Sequence, residues 1–434
     1  MQVKRQREDF VVREIHQFDF SPTGRASARP PAAKASPWAS AKAARQSGAA
    51  ASHSVAAELP YAVYRLDKSG LGTPEAASEI LSTWNLRRRQ LNYGGLKDRH
   101  AITSQTITIY KGPPASLEKD GFTLTYLGQA AREFTPNDIE ANEFDITLRE
   151  LAPSVATGLQ QACDSSELCI PNYFDEQRFG SLGVSGRYIA QPWCLADYEQ
   201  ALFLAIAEAN RHDRPDDREQ KEILRDHWGD WQACKDRLER SHRRSIVTYL
   251  ADHPSGFKKA VALIRQDLRS FYVAAFQAKL WNEIVSRRIA QVLPAEDVLT
   301  LSAIGGEWAF PKRLQSQVRD ELINLQIPLP SGRQTQWPHP FRELLEEVLA
   351  EFGIERHKLR FSHPRDVFFS RGQRDMWLKP EIVSTELGVD EFGAAGTCKL
   401  RLVFRLQAGQ YATMLIKGLE LHASHIHSQQ EHLQ

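Results

Sequence analysis

Asn92-Tyr93-Gly94-Gly95-Leu96-Lys97-Asp98-Arg99-His100-Ala101-Ile102-Thr103-Ser104-Gln105 is the stretch with the most evident chemical capacity. A glycine pair lets a backbone approach a ligand closely. Asp98 follows soon after, between Lys97 and Arg99. Neighbouring cations hold a carboxylate ionised. A positioned, ionised carboxylate acts as a nucleophile or a base. A surface loop with a local ion pair gives the same pattern, so this segment alone does not establish a site. Three other stretches combine aromatic and polar groups. Asn172–Gly180 sets Tyr173 and Phe174 beside Gln177 and Arg178, which suits contact with a base or a buried corner. Asn142-Glu143-Phe144 starts a strand. Gly409-Gln410-Tyr411-Ala412-Thr413 joins the last strand to a helix, with Tyr411 free to stack on a ring or to pack in the core.

These segments need elements to position them. Tyr61–Leu66 has the pattern of a strand. A helix is expected from Thr73 as N-cap, with Pro74 in its first turn and Glu75 at the positive dipole end. Ile80, Leu81 and Trp84 form its apolar face. Arg87-Arg88-Arg89 stands at its end, where cations suit a helix C-terminus or, failing that, a phosphate. From 102 to 151 the period changes to two. Gln105–Tyr110, Phe122–Leu127 and Phe144–Arg149 alternate and carry the Thr and aromatic content of half-buried strands. Their short spacing predicts an antiparallel sheet. Lys399–Leu406 is a matching strand that returns to the same sheet. Residues 165–375 are mainly helical, with an apolar face traced by Phe257, Val261, Ile264, Leu268, Phe271 and Leu280. Residues 21–58, rich in Ala, Ser and Pro and free of acids before Glu58, are expected to be a flexible basic insertion. His422, His425, His427 and His432 fall in a tail expected to fray rather than bind metal.

At 434 residues, two or three domains are expected from a prior of about 150 residues each. A content of 42% apolar and 25% charged residues excludes a wholly disordered chain. No apolar run approaches the roughly 20 residues of a membrane span. The basic start Met1-Gln2-Val3-Lys4-Arg5 lacks the apolar segment of a secretory signal. Five cysteines without a CxxC pair argue against disulfides and zinc, and for a reducing cytosol. The net charge is only +1, so any polyanion must meet positive residues gathered locally.

Taken together, these motifs resemble the TruD family of tRNA pseudouridine synthases. Gly95, Lys97, Asp98, Ala101, Thr103 and Gln105 match its Gly-x-Lys-Asp-x-x-Ala-x-Thr-x-Gln run throughout. Asn172–Gly180 is similar to its Asn-Tyr-Phe motif, with Asp175 in place of a turn Gly. Glu8-Asp9-Phe10 through Glu14 resembles its N-terminal segment. Asn142-Glu143-Phe144, Tyr411-Ala412-Thr413 and Ala275–Asn282 fall in the family's order. Beside these stand departures: Arg7 for a common Pro, Ala141 for a Gly, Tyr411 for Phe, and a short lead before Glu8.

The resemblance implies an α+β fold: a pseudouridine synthase-like catalytic domain with an antiparallel sheet, interrupted by an inserted, mainly helical α/β domain. The implied division is 1–20, 59–165 and 376–421 for the catalytic domain, 21–58 for the insertion, 166–375 for the inserted domain and 422–434 for the tail. It also implies isomerisation of uridine, usually uridine 13, to pseudouridine in tRNA, without cofactor or metal. Asp98 would be the catalytic carboxylate, as nucleophile or base. Phe10, Phe144 and Tyr411 would line the pocket of an everted base, Asn142 would read the uracil edge, and Lys4 would pair with Asp98. The expected partner is tRNA or another structured RNA, met by a cytoplasmic monomer away from membranes. Two other classes fit less well. A non-catalytic RNA-binding protein has little need of Asp98 facing phosphates. A glycoside hydrolase generally needs a second carboxylate at a set spacing.

Overall fold

The computed structural model describes residues 2–3, 5–22, 59–164, 169–314, 316–361, 363–364 and 366–431. Lys4 and residues 23–58 lie outside these. Two compact units account for the packing: Met1–Gln160 with Pro380–Gly409, and Gln161–Lys379 with Gln410–Gln434.

The first unit is built on one large sheet. Its long strands are β1 (Phe10–His16), β2 (Tyr61–Lys68), β3 (Ile102–Tyr110), β4 (Phe122–Ala130), β5 (Ile139–Leu151), β6 (Glu381–Val389) and β7 (Cys398–Gln407). Their spatial order is β6-β7-β5-β1-β3-β2-β4. The returning strand β7 pairs with β5, as its alternation predicts. The pairing is antiparallel except at the centre, where β1 and β3 run parallel, Val11 opposite Ile102 and Val12 opposite Thr103. Ser21–Pro22 extends the sheet beyond β4. It comes so close that a Cβ on Gly128 would lie 2.0 Å from the Ser21 carbonyl oxygen.

Period-two alternation assigns each residue to a face. On one face Ala62, Tyr64, Leu66, Ile107, Ile109 and Leu124 pack under the helix Thr73–Thr83 through Ala76, Ala77, Ile80 and Leu81. On the other, Phe18, Val63, Ala130, Phe134 and Ile139 form a second core. β3 is buried on both faces although about half of its residues are polar, and these find partners there: Thr106 Oγ1 lies 2.8 Å from His16 Nε2, and Thr108 Oγ1 accepts the Phe134 N–H at 3.0 Å. Further along the second face, Arg401 grips Asp145 with two 2.8 Å bonds and Arg405 meets Glu143 at 3.0 Å. These cross-strand pairs are partly buried and match opposite charges across neighbouring strands, which favours this register.

The helix departs from expectation at both ends. Gly72, not Thr73, is its N-cap, and Thr73 is fully buried within the first turn. The helix closes at Thr83 with Trp84 as C-cap. The three arginines are therefore past its end, in and beside the short turn Arg88–Gln90, and do not cap it.

The second unit is mainly helical, around the 27-residue helix Gln266–Val292. It also holds the hairpin of Val298–Ala303 with Gly306–Pro311. The apolar face expected over 257–280 is shared by two helices, Phe257–Leu263 and Gln266–Val292. Arg269 fixes the break, donating to the Ile264 carbonyl at 2.7 Å and to both Asp366 oxygens at 2.8 Å. The C-terminal helix Ala412–Glu431 continues into the segment expected to fray, of which His432 lies outside the described residues.

Asp175 adopts an extended backbone (φ −87°), so no left-handed turn explains a residue other than Gly here. Its buried carboxylate instead accepts from the Thr413 hydroxyl and pairs with Lys417 at 2.7 Å. Asp175→Ala is expected to destabilise the second unit by about 2–3 kcal/mol, because Lys417 and Thr413 lose their shared acceptor. Urea unfolding followed by tryptophan fluorescence checks this, and an unchanged midpoint would refute it.

Candidate active site

Parallel pairing of β1 with β3 sets the start of both strands at one end of the sheet. The antiparallel β2 delivers its last residue, Lys68, to the same end, opposite Thr103. The Asp98 loop enters β3 there. Its shape is held from beneath. The backbone N–H of Lys97 donates to Thr73 Oγ1 at 3.1 Å. Thr73 in turn donates to Gln105 Oε1 at 2.9 Å, and Gln105 Nε2 donates to the Gly95 carbonyl at 3.3 Å. Thus the last residue of the motif fastens its first, and Thr73 is occupied by the loop rather than by capping.

Lys68 is a further support. It is 2% exposed, and its ammonium donates to the carbonyls of Leu71 (2.8 Å), Asp98 (2.9 Å) and Lys97 (3.4 Å). Burial lowers its pKa to about 8, while the charges of Asp98 and Glu75 act in the opposite sense. Asp98 is half-buried, and its Oδ1 accepts from the His100 N–H at 2.9 Å. Gly94 is required by packing, since a Cβ there would fall 2.5 Å from Ile139; Gly95 borders open space.

The cations flanking Asp98 have other partners. Lys97 lies 3.0 Å from Glu14 Oε2 and donates to Asn142 Oδ1 at 2.5 Å. Arg99 faces Glu75 at 3.4 Å. Glu14 and Asn142 are direct neighbours in register, and the other Glu14 oxygen receives the Thr106 N–H. An ammonium has only donors, so the Asn142 carbonyl must face Lys97. Two residues along the same face, Phe144 meets Phe10 edge-on at 6.4 Å and stacks on Phe404 at 5.4 Å. Phe10 and Phe144 are 5% and 9% exposed, so neither is an open platform in this state. Phe10 is anchored from behind. Arg149, itself buried, donates to Asp9 at 2.8 Å and to Asp390 at 2.9 Å.

The profile of the family described as tRNA pseudouridine synthase D (TruD) matches residues 1–419. The chain belongs to the TruD family. "Probable tRNA pseudouridine synthase D 1" of Methanococcus maripaludis is 23% identical over 427 residues, covering 96% of this chain and 98% of its own. "Probable tRNA pseudouridine synthase D 2" of Methanocaldococcus jannaschii is 27% identical over 360 residues, covering 82% and 84%. A crystal structure of a Methanosarcina mazei protein named as TruD superposes with a TM-score of 0.67 at 20% identity, covering 96% and 93%. That likeness concerns the fold.

Against the TruD motifs, Phe10, Asp98, Asn142 and Phe144 all fall in the first unit, on one sheet and the loop that feeds it. Lys4 lies outside the described residues. Tyr411 belongs to the second unit, where its hydroxyl, absent from the family's Phe, accepts from Arg178 at 3.3 Å. The Asn172–Gly180 motif takes the buried-corner alternative. Tyr173 is fully buried and donates to the Ala309 carbonyl at 2.7 Å. Asn282 exchanges two 2.9 Å bonds with the Phe174 backbone. Arg374 lies over the Phe174 ring at 4.2 Å, and burial lowers its pKa to about 10.

Lys68 escapes motif reading, and Glu14 closes the N-terminal motif without a role being read for it, yet alternation marks both. Lys68 continues the inward series Ala62, Tyr64, Leu66, and Glu14 continues Phe10, Val12. A charge on an inward face needs a partner.

Proposed function

We propose that this protein isomerises uridine to pseudouridine in tRNA, with uridine 13 as its target and Asp98 as the reacting carboxylate. The N1–C1′ bond breaks, the uracil turns, C5 joins C1′, the C5 hydrogen leaves to solvent and N1 gains a proton. The observation that carries this reading is the complete Gly95–Gln105 motif, folded so that Thr73, Gln105 and Lys68 hold the backbone on either side of Asp98. Such support keeps a reacting group within reach of its target. A stacked base must leave its helix first, at a cost of a few kcal/mol. Aromatic contact recovers about 1–3 kcal/mol per base. Phe144, Phe10 and Tyr411 are proposed for that contact. Asn142 has its carbonyl committed to Lys97, and its Nδ2 makes no hydrogen bond among the described residues. It is proposed to donate to a uracil carbonyl.

The test is tritium release from tRNA carrying 5-tritiated uridine, with the modified position mapped afterwards. Release and a single pseudouridine at position 13 are expected. Binding of tRNA without release would leave only an RNA-binding protein. Phe144→Leu, which preserves most of the core volume, is expected to lower turnover about tenfold while tRNA affinity stays within about twofold, since phosphate contacts dominate binding. Equal loss of both would remove Phe144 from the pocket.

A further inference from the structure

The three arginines at 87–89 cap no helix, which leaves their purpose open. Arg88 is engaged locally, donating to the Leu91 carbonyl at 2.7 Å and to the Tyr93 hydroxyl at 3.1 Å. Arg87 and Arg89 are exposed, and among the described residues neither forms an ion pair. Both line one cavity of about 460 Å³ together with Tyr61, Tyr110, Gln90, Asn92 and Glu133. The turn that carries them is fixed. Gln90 Oε1 accepts the Arg87 N–H at 3.0 Å, and Gln90 Nε2 donates to the Tyr110 carbonyl at 3.0 Å. Tyr61 and Tyr110 meet edge-on at 5.3 Å, leaving Tyr110 39% exposed.

Two uncommitted guanidinia, an aromatic margin and side chains able to donate and accept are what a single nucleotide requires. Guanidinium groups hold phosphate, and an aromatic ring takes a base of any identity. The position excludes the reacting uridine. Tyr110 ends β3 and the Asp98 loop precedes its start, so the two are separated by about 27 Å at roughly 3.4 Å per residue.

We propose that this cavity holds a second nucleotide of the tRNA substrate, its phosphate between Arg87 and Arg89 and its base against Tyr110. This rests on tRNA being the substrate. It also answers the near-zero net charge, because binding then depends on local cations rather than on a general positive field.

The test compares wild type with Arg87→Ala/Arg89→Ala and with Tyr110→Leu, using unmodified tRNA. The double variant is expected to raise Kd about tenfold. Its dependence of log K on log salt should flatten by about one for each phosphate that is no longer neutralised. Turnover at saturating tRNA should be unchanged. Tyr110→Leu is expected to raise Kd about fivefold without altering the salt slope. Thermal melting confirms that each variant is folded. Unchanged affinity and slope in the double variant would overturn the proposal, as would a Kd raised without a change of slope. Tritium release by wild type is read in parallel. If wild type binds tRNA but releases none, the proposed activity fails while the binding comparison still decides this site.

Discussion

Asp98→Asn is expected to abolish tritium release, lowering turnover by about 10⁴-fold if Asp98 is a base and nearer 10⁶-fold if it is a nucleophile. The substitution isolates charge from shape. Asn keeps a side-chain oxygen to accept the His100 N–H, and the Lys68 bond is to the backbone carbonyl, which does not change. Folding stability should therefore stay within about 1 kcal/mol of wild type. Affinity for tRNA should hold or rise slightly, because a negative charge near the phosphates has been removed. The measurements are single-turnover tritium release, filter binding and thermal melting on the same preparation. Turnover within tenfold of wild type would refute the role of Asp98. Loss of release accompanied by loss of folding would make it a structural residue.

Lys68→Met is expected to lower turnover about 100-fold, the scale associated with displacing a reacting group by an ångström. The ammonium joins Leu71, Lys97 and Asp98 through their carbonyls, and methionine can make none of these bonds. Wild type should show a matching pH dependence. Because burial lowers the Lys68 pKa to about 8, raising the pH through 8 removes the proton and with it the charge-assisted bonds that hold the loop. Activity should fall across that range, and the Met variant should be low and flat. The stability effect has the opposite sign. Between pH 8 and about 10.5 the unfolded chain binds this proton and the folded chain does not. The contribution of Lys68 to stability therefore rises with pH over that window, by on the order of 3 kcal/mol. Falling activity without falling melting temperature near pH 8 separates loop release from alkaline unfolding. A wild-type profile without a limb near pH 8 would count against Lys68 as a positioning residue.

Much of the fold was legible in residue patterns. The strands at 61–66, 105–110, 122–127, 144–149 and 399–406 all form, because period-two alternation reflects burial on the faces of a sheet. The parallel pairing of β1 with β3 was not legible, since alternation fixes which way side chains point but not which strand lies alongside. The helix start illustrates a second limit. Thr73 has the residue type of an N-cap and stands beside Pro74, yet its hydroxyl is taken by Lys97 and Gln105, groups distant in sequence. The arginine triplet illustrates a third, because the helix ends at Thr83, short of it.

By itself the amino-acid sequence determined the family motifs, the residue types available for chemistry and the prominence of Asp98 among the carboxylates. Tertiary structure decided what stands around that carboxylate. Lys68, Thr73 and Gln105 are brought to its loop, and Lys97 is drawn to Glu14 and Asn142. The reason is register: one parallel pairing and one antiparallel pairing bring the ends of three separate strands together, and long-range pairing of this kind leaves no local trace in the chain.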